Sequence, residues 1–231
     1  MIRFSFILLI AFILILASCK KDDPIKVDVG YGYFPDEIGS WIIYDIDSTV
    51  WNDFTDPSTV TNYKYQIKEV IESSYTDAQG RATLRWERFR RDLVTDPWVI
   101  KDVWAVNKTA STVEKVEENI RFIRLIFPVK LSGIWDGNAT NTLDEWDYQY
   151  TQVHSAKTVG GISFDSTLTV LQQDFNPWIF VDYFEEYYAK NVGLIYKKEL
   201  HWDKPDANKD WDVDYKGGYD YTMTINSYSN Q

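Results

Sequence analysis

The stretch Ile179-Phe180-Val181-Asp182-Tyr183-Phe184-Glu185-Glu186-Tyr187-Tyr188-Ala189 decides the fold class. Phe180, Tyr183, Phe184 and Tyr187 fit helical spacing, and a helix here would make the protein mixed α and β. The run is rich in aromatics and lacks a majority of good helix formers, so it is read as a strand. Adjacent Glu185 and Glu186 then point to opposite faces of a sheet, and they cannot serve each other as an acid/base pair.

Strand patterns continue on both sides of it. Downstream, Asn191-Val192-Gly193 turns the chain into Leu194–Trp202, where Leu194, Tyr196 and Leu200 alternate with lysines and glutamate. Tyr219, Tyr221, Met223 and Ile225 make the last strand. Upstream, Trp146, Tyr148 and Tyr150 alternate with polar residues, and Gly160-Gly161 marks a hairpin. Ile120–Phe127 reads as a strand buried on both faces, with Arg121 and Arg124 near its ends or paired, and Pro128 ends it. Glu114–Glu118 is polar, either a helical turn or an edge strand. Trp41–Val50, Tyr63–Ser73, Ala82–Arg91 and Trp98–Val106 complete the pattern. The basic cluster Arg85, Arg88, Arg90 and Arg91 is expected on a solvated face, with an anion site as the alternative. In all, about ten strands at regular spacing predict an all-β fold, a strongly bent antiparallel sheet that is half-barrel or barrel-like.

One echo runs through the chain. Phe34-Pro35 followed by Gly39-Ser40-Trp41 is matched by Phe127-Pro128 followed by Gly133-Ile134-Trp135. A proline forces an extended entry, a glycine permits the turn, and an indole plugs the sheet behind it. If the match is more than chance, two similar sheet halves meet near residue 127.

Composition agrees with a β fold: 16% of the 231 residues are aromatic, with 10 Trp and 16 Tyr. The net charge of −11 argues against nucleic acid and against an anionic membrane surface as partners.

The N-terminus carries an address. Arg3, the apolar run Phe4–Leu16, and Leu16-Ala17-Ser18-Cys19 read as a lipoprotein signal over residues 1–18, with an uncleaved anchor as the alternative. Cys19, the one cysteine, becomes the lipidated first residue, which leaves no thiol for disulfide, metal or catalytic chemistry in the folded part. Several acyl chains hold such a protein to a bilayer where one would not. Lys20-Lys21-Asp22-Asp23 resembles the export signal of surface lipoproteins, so an outward-facing place on the outer membrane is expected. Residues 19–33 then form a tether, and residues 34–231 a single β domain.

Catalytic motifs are sparse. His154 and His201 fall at expected strand ends and read as structural or solvated. The sequence has no nucleophile elbow, zinc-binding helix motif or phosphate-cradling glycine loop, and no cofactor is implied. A glycosidase drawing two carboxylates from distant strands stays open. In the acidic loop Asp203–Asp214, the residues Asp206, Asn208, Asp210 and Asp212 recur every second position like the opening of a calcium loop. Trp211 and Gly217 stand where an EF-hand needs its glycine and its bidentate glutamate. An EF-hand is therefore ruled out, and a weak Ca2+ site or plain solvated acids remain. Trp202, Trp211 and Tyr215 around this loop could stack on sugar rings or simply cap an open barrel end.

With these residues read, Phe34-Pro35…Gly39-Ser40-Trp41 and Tyr187-Tyr188-Ala189-Lys190-Asn191-Val192-Gly193-Leu194-Ile195-Tyr196 resemble the conserved-looking ends of a group of Bacteroidota lipoproteins. That resemblance implies an outer-membrane lipoprotein with a bent sheet or half-barrel, and it brings no catalytic residues with it. The expected function is non-enzymatic binding or accessory work, with glycan as the leading cargo. A lipid or hydrophobic-ligand carrier with a half-barrel trough, and a structural or adhesion subunit, are the alternatives.

Overall fold

A computed structural model of the chain describes residues 28–52, 54, 59–203 and 217–229. Twelve strands follow one short 3-10 turn, Tyr31–Tyr33: β1 Trp41–Asn52, β2 Thr59–Thr76, β3 Ala82–Arg91, β4 Val99–Lys108, β5 Thr112–Glu117, β6 Ile120–Ile126, β7 Ile134–Asp136, β8 Asp147–Val159, β9 Ile162–Phe175, β10 Phe180–Ala189, β11 Gly193–Asp203 and β12 Gly217–Tyr228. They form one sheet in the order β6-β5-β4-β3-β2-β1-β12-β11-β10-β9-β8-β7. Each neighbour pair is antiparallel, and the first strand is zipped to the last.

The decisive stretch is a strand. In β10, Glu186 pairs with Lys197 on one side and Val170 on the other, so its side chain joins theirs on the inner face. Bulges at Ile43/Tyr44, Ile71/Ser73, Val113/Glu114, Phe184/Glu185 and Tyr187/Tyr188 curl the sheet. Curling brings the two outer strands, β6 and β7, face to face. Ile123 N–H donates to Gly137 O (2.9 Å), and Trp135 Nε1–H donates to Ile123 O (2.9 Å). The Tyr150 hydroxyl accepts the Ile126 N–H (3.0 Å) and donates to Ile126 O (2.8 Å). The result is a nearly closed barrel whose open edges are blunted by side chains.

One end of the barrel is plugged by residues expected to belong to the tether. Tyr33 is fully buried, and its hydroxyl bonds His154 Nδ1 and Ser166 Oγ, each at 2.8 Å. Gly30, at φ +89°, lies so close to the β6–β7 connection that a Cβ would stand 2.5 Å from Val129 Cγ2. Ordered packing therefore starts before Phe34. The β8–β9 hairpin folds against β12 in the same way: a Cβ on Gly160 would come within 2.0 Å of Ile225 O. Two apolar clusters fill the interior around this end, one built on Phe34, Trp135, Tyr148 and Tyr150, the other on Ile42, Tyr44, Ile195 and Ile225.

Other expectations need correction. Glu114–Glu118 contributes to β5, which is an internal strand and not an edge, because β4 and β6 flank it. His154 lies within β8 at positive φ and binds Tyr33, whereas His201 does stand near the end of β11. Arg88 leaves the solvated basic face: it is buried inside the barrel, while Arg85, Arg90 and Arg91 remain partly exposed.

Candidate functional site

The sequence favours apolar alternation in these strands, yet at mid-barrel the inward positions are charged. Glu69 of β2, Arg88 of β3, Lys115 and Glu117 of β5, Arg124 of β6, Glu186 of β10, and Lys197 and Glu199 of β11 line a cavity of about 250 Å3. Trp86, Trp104, Tyr188 and Tyr221 complete its wall, and Phe34, Pro35, Ile42 and Met223 give it an apolar floor. Four cations face four carboxylates. This arrangement follows from the registry: Arg88 is paired with Glu69 and Asp102 across neighbouring strands, and Glu186 with Lys197.

The contacts form a chain around the wall. Glu69 accepts from Arg88 Nε (3.0 Å) on one oxygen and from Trp86 Nε1 (3.0 Å) on the other, and Arg88 also reaches Asp102 (2.9 Å). Arg124 Nη2 donates to Glu117 (2.8 Å). Glu186 accepts the Tyr188 hydroxyl (2.6 Å) and stands 3.4 Å from Lys197 Nζ, which lies 2.7 Å from Glu199. Lys115 is held more loosely. Its Nζ is 3.5 Å from Glu117 and 4.0 Å from Glu69, and it sits over the Trp104 ring at 4.2 Å and the Trp86 ring at 5.3 Å. The Arg88 guanidinium also lies over Trp104, at 3.9 Å.

These neighbours set the protonation of the wall. Burial pushes the Glu117 carboxyl up, but Arg124, Lys115 and Lys197 outweigh it and hold the group well below the usual carboxylate range. Glu186 follows the same logic: burial raises it, and Lys197, Arg124 and the Tyr188 hydrogen bond bring it down. Burial lowers Lys197, which Glu199 and Glu186 more than reverse. For Lys115 the balance goes the other way. Burial depresses its ammonium further than Glu69 and Glu117 restore it.

Such a wall is costly. Each buried ion loses several kcal/mol of hydration, and well-packed apolar residues often hold a fold as well or better. Packing for stability alone therefore does not account for charge on this scale around an open volume. Chemically, the wall can orient a small polar molecule through donors, acceptors and ring edges. Among the described residues, no group of three or more His, Cys, Asp or Glu side chains is arranged to hold a metal ion.

The site residues expected from sequence are elsewhere. Trp202 lies on β11, with its ring 6.1 Å from that of Trp51, and it does not line the cavity. Trp211, Tyr215 and the calcium candidates Asp206, Asn208, Asp210 and Asp212 lie outside the described residues, as does Cys19. On β11, His201 Nδ1 is 2.5 Å from Asp182, its Nε2 is 3.6 Å from Asp203, and its ring contacts Phe180 and Tyr219. The cavity residues themselves were open to detection. Leu194, Tyr196 and Leu200 invite assignment to one core face, but past the bulge at Tyr187/Tyr188 it is Lys197 and Glu199 that line the cavity with Leu194, while Tyr196 stacks on Tyr187.

No protein-family model matches the chain. No curated protein matches it in sequence. Among solved structures, it is similar to a candidate exported protein with a YmcC-like fold from Bacteroides fragilis NCTC 9343, at 9% identity and a TM-score of 0.41, covering 85% of this chain and 98% of that one. It is also similar to a candidate lipoprotein from Parabacteroides distasonis ATCC 8503, at 8% identity and a TM-score of 0.37 with the same coverage. Likenesses of this strength carry no residue roles across.

Proposed function

We propose that this chain is a lipid-anchored, non-enzymatic binding protein of the outer membrane that holds a small polar ligand, a glycan unit in the first instance, in its barrel cavity. The anchor reading rests on Leu16-Ala17-Ser18-Cys19 and the outward address on Lys20-Lys21-Asp22-Asp23. The observation that carries the binding reading is the charged, aromatic-rimmed cavity of about 250 Å3 at mid-barrel. A lipid tail would have to lie against Arg88, Arg124, Glu69 and Glu186, so the carrier alternative loses its apolar trough.

A second reading, a structural or adhesive subunit, is favoured by a different feature. Phe54, Leu93, Val94, Trp178 and Ile179 are large, exposed apolar residues at the barrel end away from the Tyr33 plug.

Thermal-shift screening against a broad set of glycans and charged polar metabolites tests the cavity reading. Ligands should raise the melting temperature of the wild type and leave Met223→Trp, which fills the cavity from β12, unshifted. Failure of every compound to shift the wild type, or equal shifts in a natively folded Met223→Trp, removes the binding reading. Loss of acyl labelling and of membrane retention in Cys19→Ala checks the anchor, and protease accessibility on intact cells checks the outward face.

A further inference from the structure

Two donors on the cavity wall lack a close acceptor. Both oxygens of Glu69 are engaged, one by Arg88 and one by Trp86, and both oxygens of Glu186, by Tyr188 and Lys197. Glu117 gives one oxygen to Arg124 and Glu199 one to Lys197. Arg88, Arg124 and Lys197 stand 2.7 to 3.0 Å from their carboxylates. Lys115 does not: its nearest carboxylate oxygen is at 3.5 Å, outside the range of a good N–H···O bond, although the side chain is buried. Trp104, which shares this wall, carries a buried Nε1–H with no partner among the described residues. A buried donor without an acceptor is costly enough to call for one.

Charge narrows the kind of acceptor. The lining holds four cations and four carboxylates, inside a protein whose net charge is −11. An anionic ligand would add an uncompensated negative charge to a low-dielectric site. A cationic ligand would add a fifth positive charge to the four that the four carboxylates already balance. A neutral molecule bearing oxygens disturbs neither balance.

Resting on the cavity reading above, we propose that the site selects uncharged, oxygen-rich ligands of the neutral-sugar class, and that Lys115 is the residue that donates to the ligand's acceptor oxygen. Trp104 lies on the same wall with its Nε1–H buried. Its ring is already covered by Lys115 and Arg88, so donation from Lys115, and not stacking on Trp104, gives the specificity.

Four monosaccharides that share a ring and differ in charge separate the possibilities: glucose, N-acetylglucosamine, glucosamine and glucuronate, titrated calorimetrically into the full chain. Glucose or N-acetylglucosamine should bind at least about tenfold more tightly than glucosamine and glucuronate. Lys115→Met should lose at least about tenfold of that affinity with its near-ultraviolet circular dichroism intact, and Lys115→Arg should recover part of it. If Lys115→Met does not fold, protection of Lys115 from reductive methylation by the neutral sugar replaces it as the readout. Tighter binding of a charged member, an unchanged affinity in Lys115→Met, absence of protection at Lys115, or no saturable binding of either neutral sugar overturns the proposal. Where the broad thermal-shift screen still finds a charged ligand whose effect Met223→Trp abolishes, the cavity reading stands and only the neutral-ligand assignment falls.

Discussion

Two parts of one barrel interior solve the burial problem in opposite ways. The plugged end around Phe34, Trp135, Tyr148 and Tyr150 is aromatic, and its polar tips go to the backbone or to neutral side chains for the most part: Trp135 to Ile123 O, Tyr150 to both groups of Ile126, and Tyr33 to His154 and Ser166. The waist a few residues along the same strands is ionic and surrounds open space. The first is what a fold needs, since apolar area removed from water stabilises at about 25 cal/mol per Å2. The second costs hydration on every ion and recovers it only while all partners are present. The difference separates the scaffold from the proposed site.

The largest expected effect tests that separation at the waist. Arg88→Met leaves Glu69 buried without its partner and should cost about 3–5 kcal/mol in urea unfolding. Replacing both, as Glu69→Leu with Arg88→Met, should recover most of that loss. A double variant as unstable as the single would mean that the ion pair is scaffold after all.

At the plugged end, Tyr150→Phe removes the hydroxyl that joins β8 to Ile126 across the seam, and should cost about 1–3 kcal/mol. Faster amide exchange at Ile126 would localise the effect, and unaltered exchange there would show that the seam is closed by other contacts.

Acidification probes the waist again, less severely. Glu117 and Glu186 have folded pKa values below their usual 4.5, so their stabilisation is fully present above that pH and is lost as pH falls below it towards the folded values. Lys115 acts with the opposite sign. Its folded pKa lies below the usual 10.5, so it opposes folding while charged, and that penalty lifts as pH rises towards 10.5. Urea midpoints measured from pH 7 down to 3 should fall, and Glu117→Gln should flatten the decline. An identical slope in that variant would assign acid sensitivity elsewhere. The smallest effect belongs to the surface. Lys64 and Asp47 form an exposed pair at 2.8 Å, and Lys64→Ala should leave the urea midpoint unchanged.

Much of the scaffold was legible in the sequence because it obeys one rule. Tyr44, Ile46, Tyr65, Ile67, Met223 and Ile225 alternate with polar residues, and they face inward as a period of two requires. Phe180–Ala189 resolves as a strand for the same reason, because its aromatics fit a pleated surface. The waist escaped because it inverts the rule. Lys197 and Glu199 look solvent-facing beside Leu194, Tyr196 and Leu200, and Arg88 looks like one of four surface arginines. Only the cross-strand registry, which no single strand encodes, brings Glu69 to Arg88 and Glu186 to Lys197. A signal was there at one position: Arg124 stands mid-strand between Ile123 and Leu125, where an unpaired surface charge has no reason to be.

The most direct test is calorimetric titration of N-acetylglucosamine into the wild type and into Met223→Trp, each verified as folded by near-ultraviolet circular dichroism. The account predicts saturable one-site binding to the wild type and none to the filled barrel. Saturable binding of equal affinity to both proteins would contradict it.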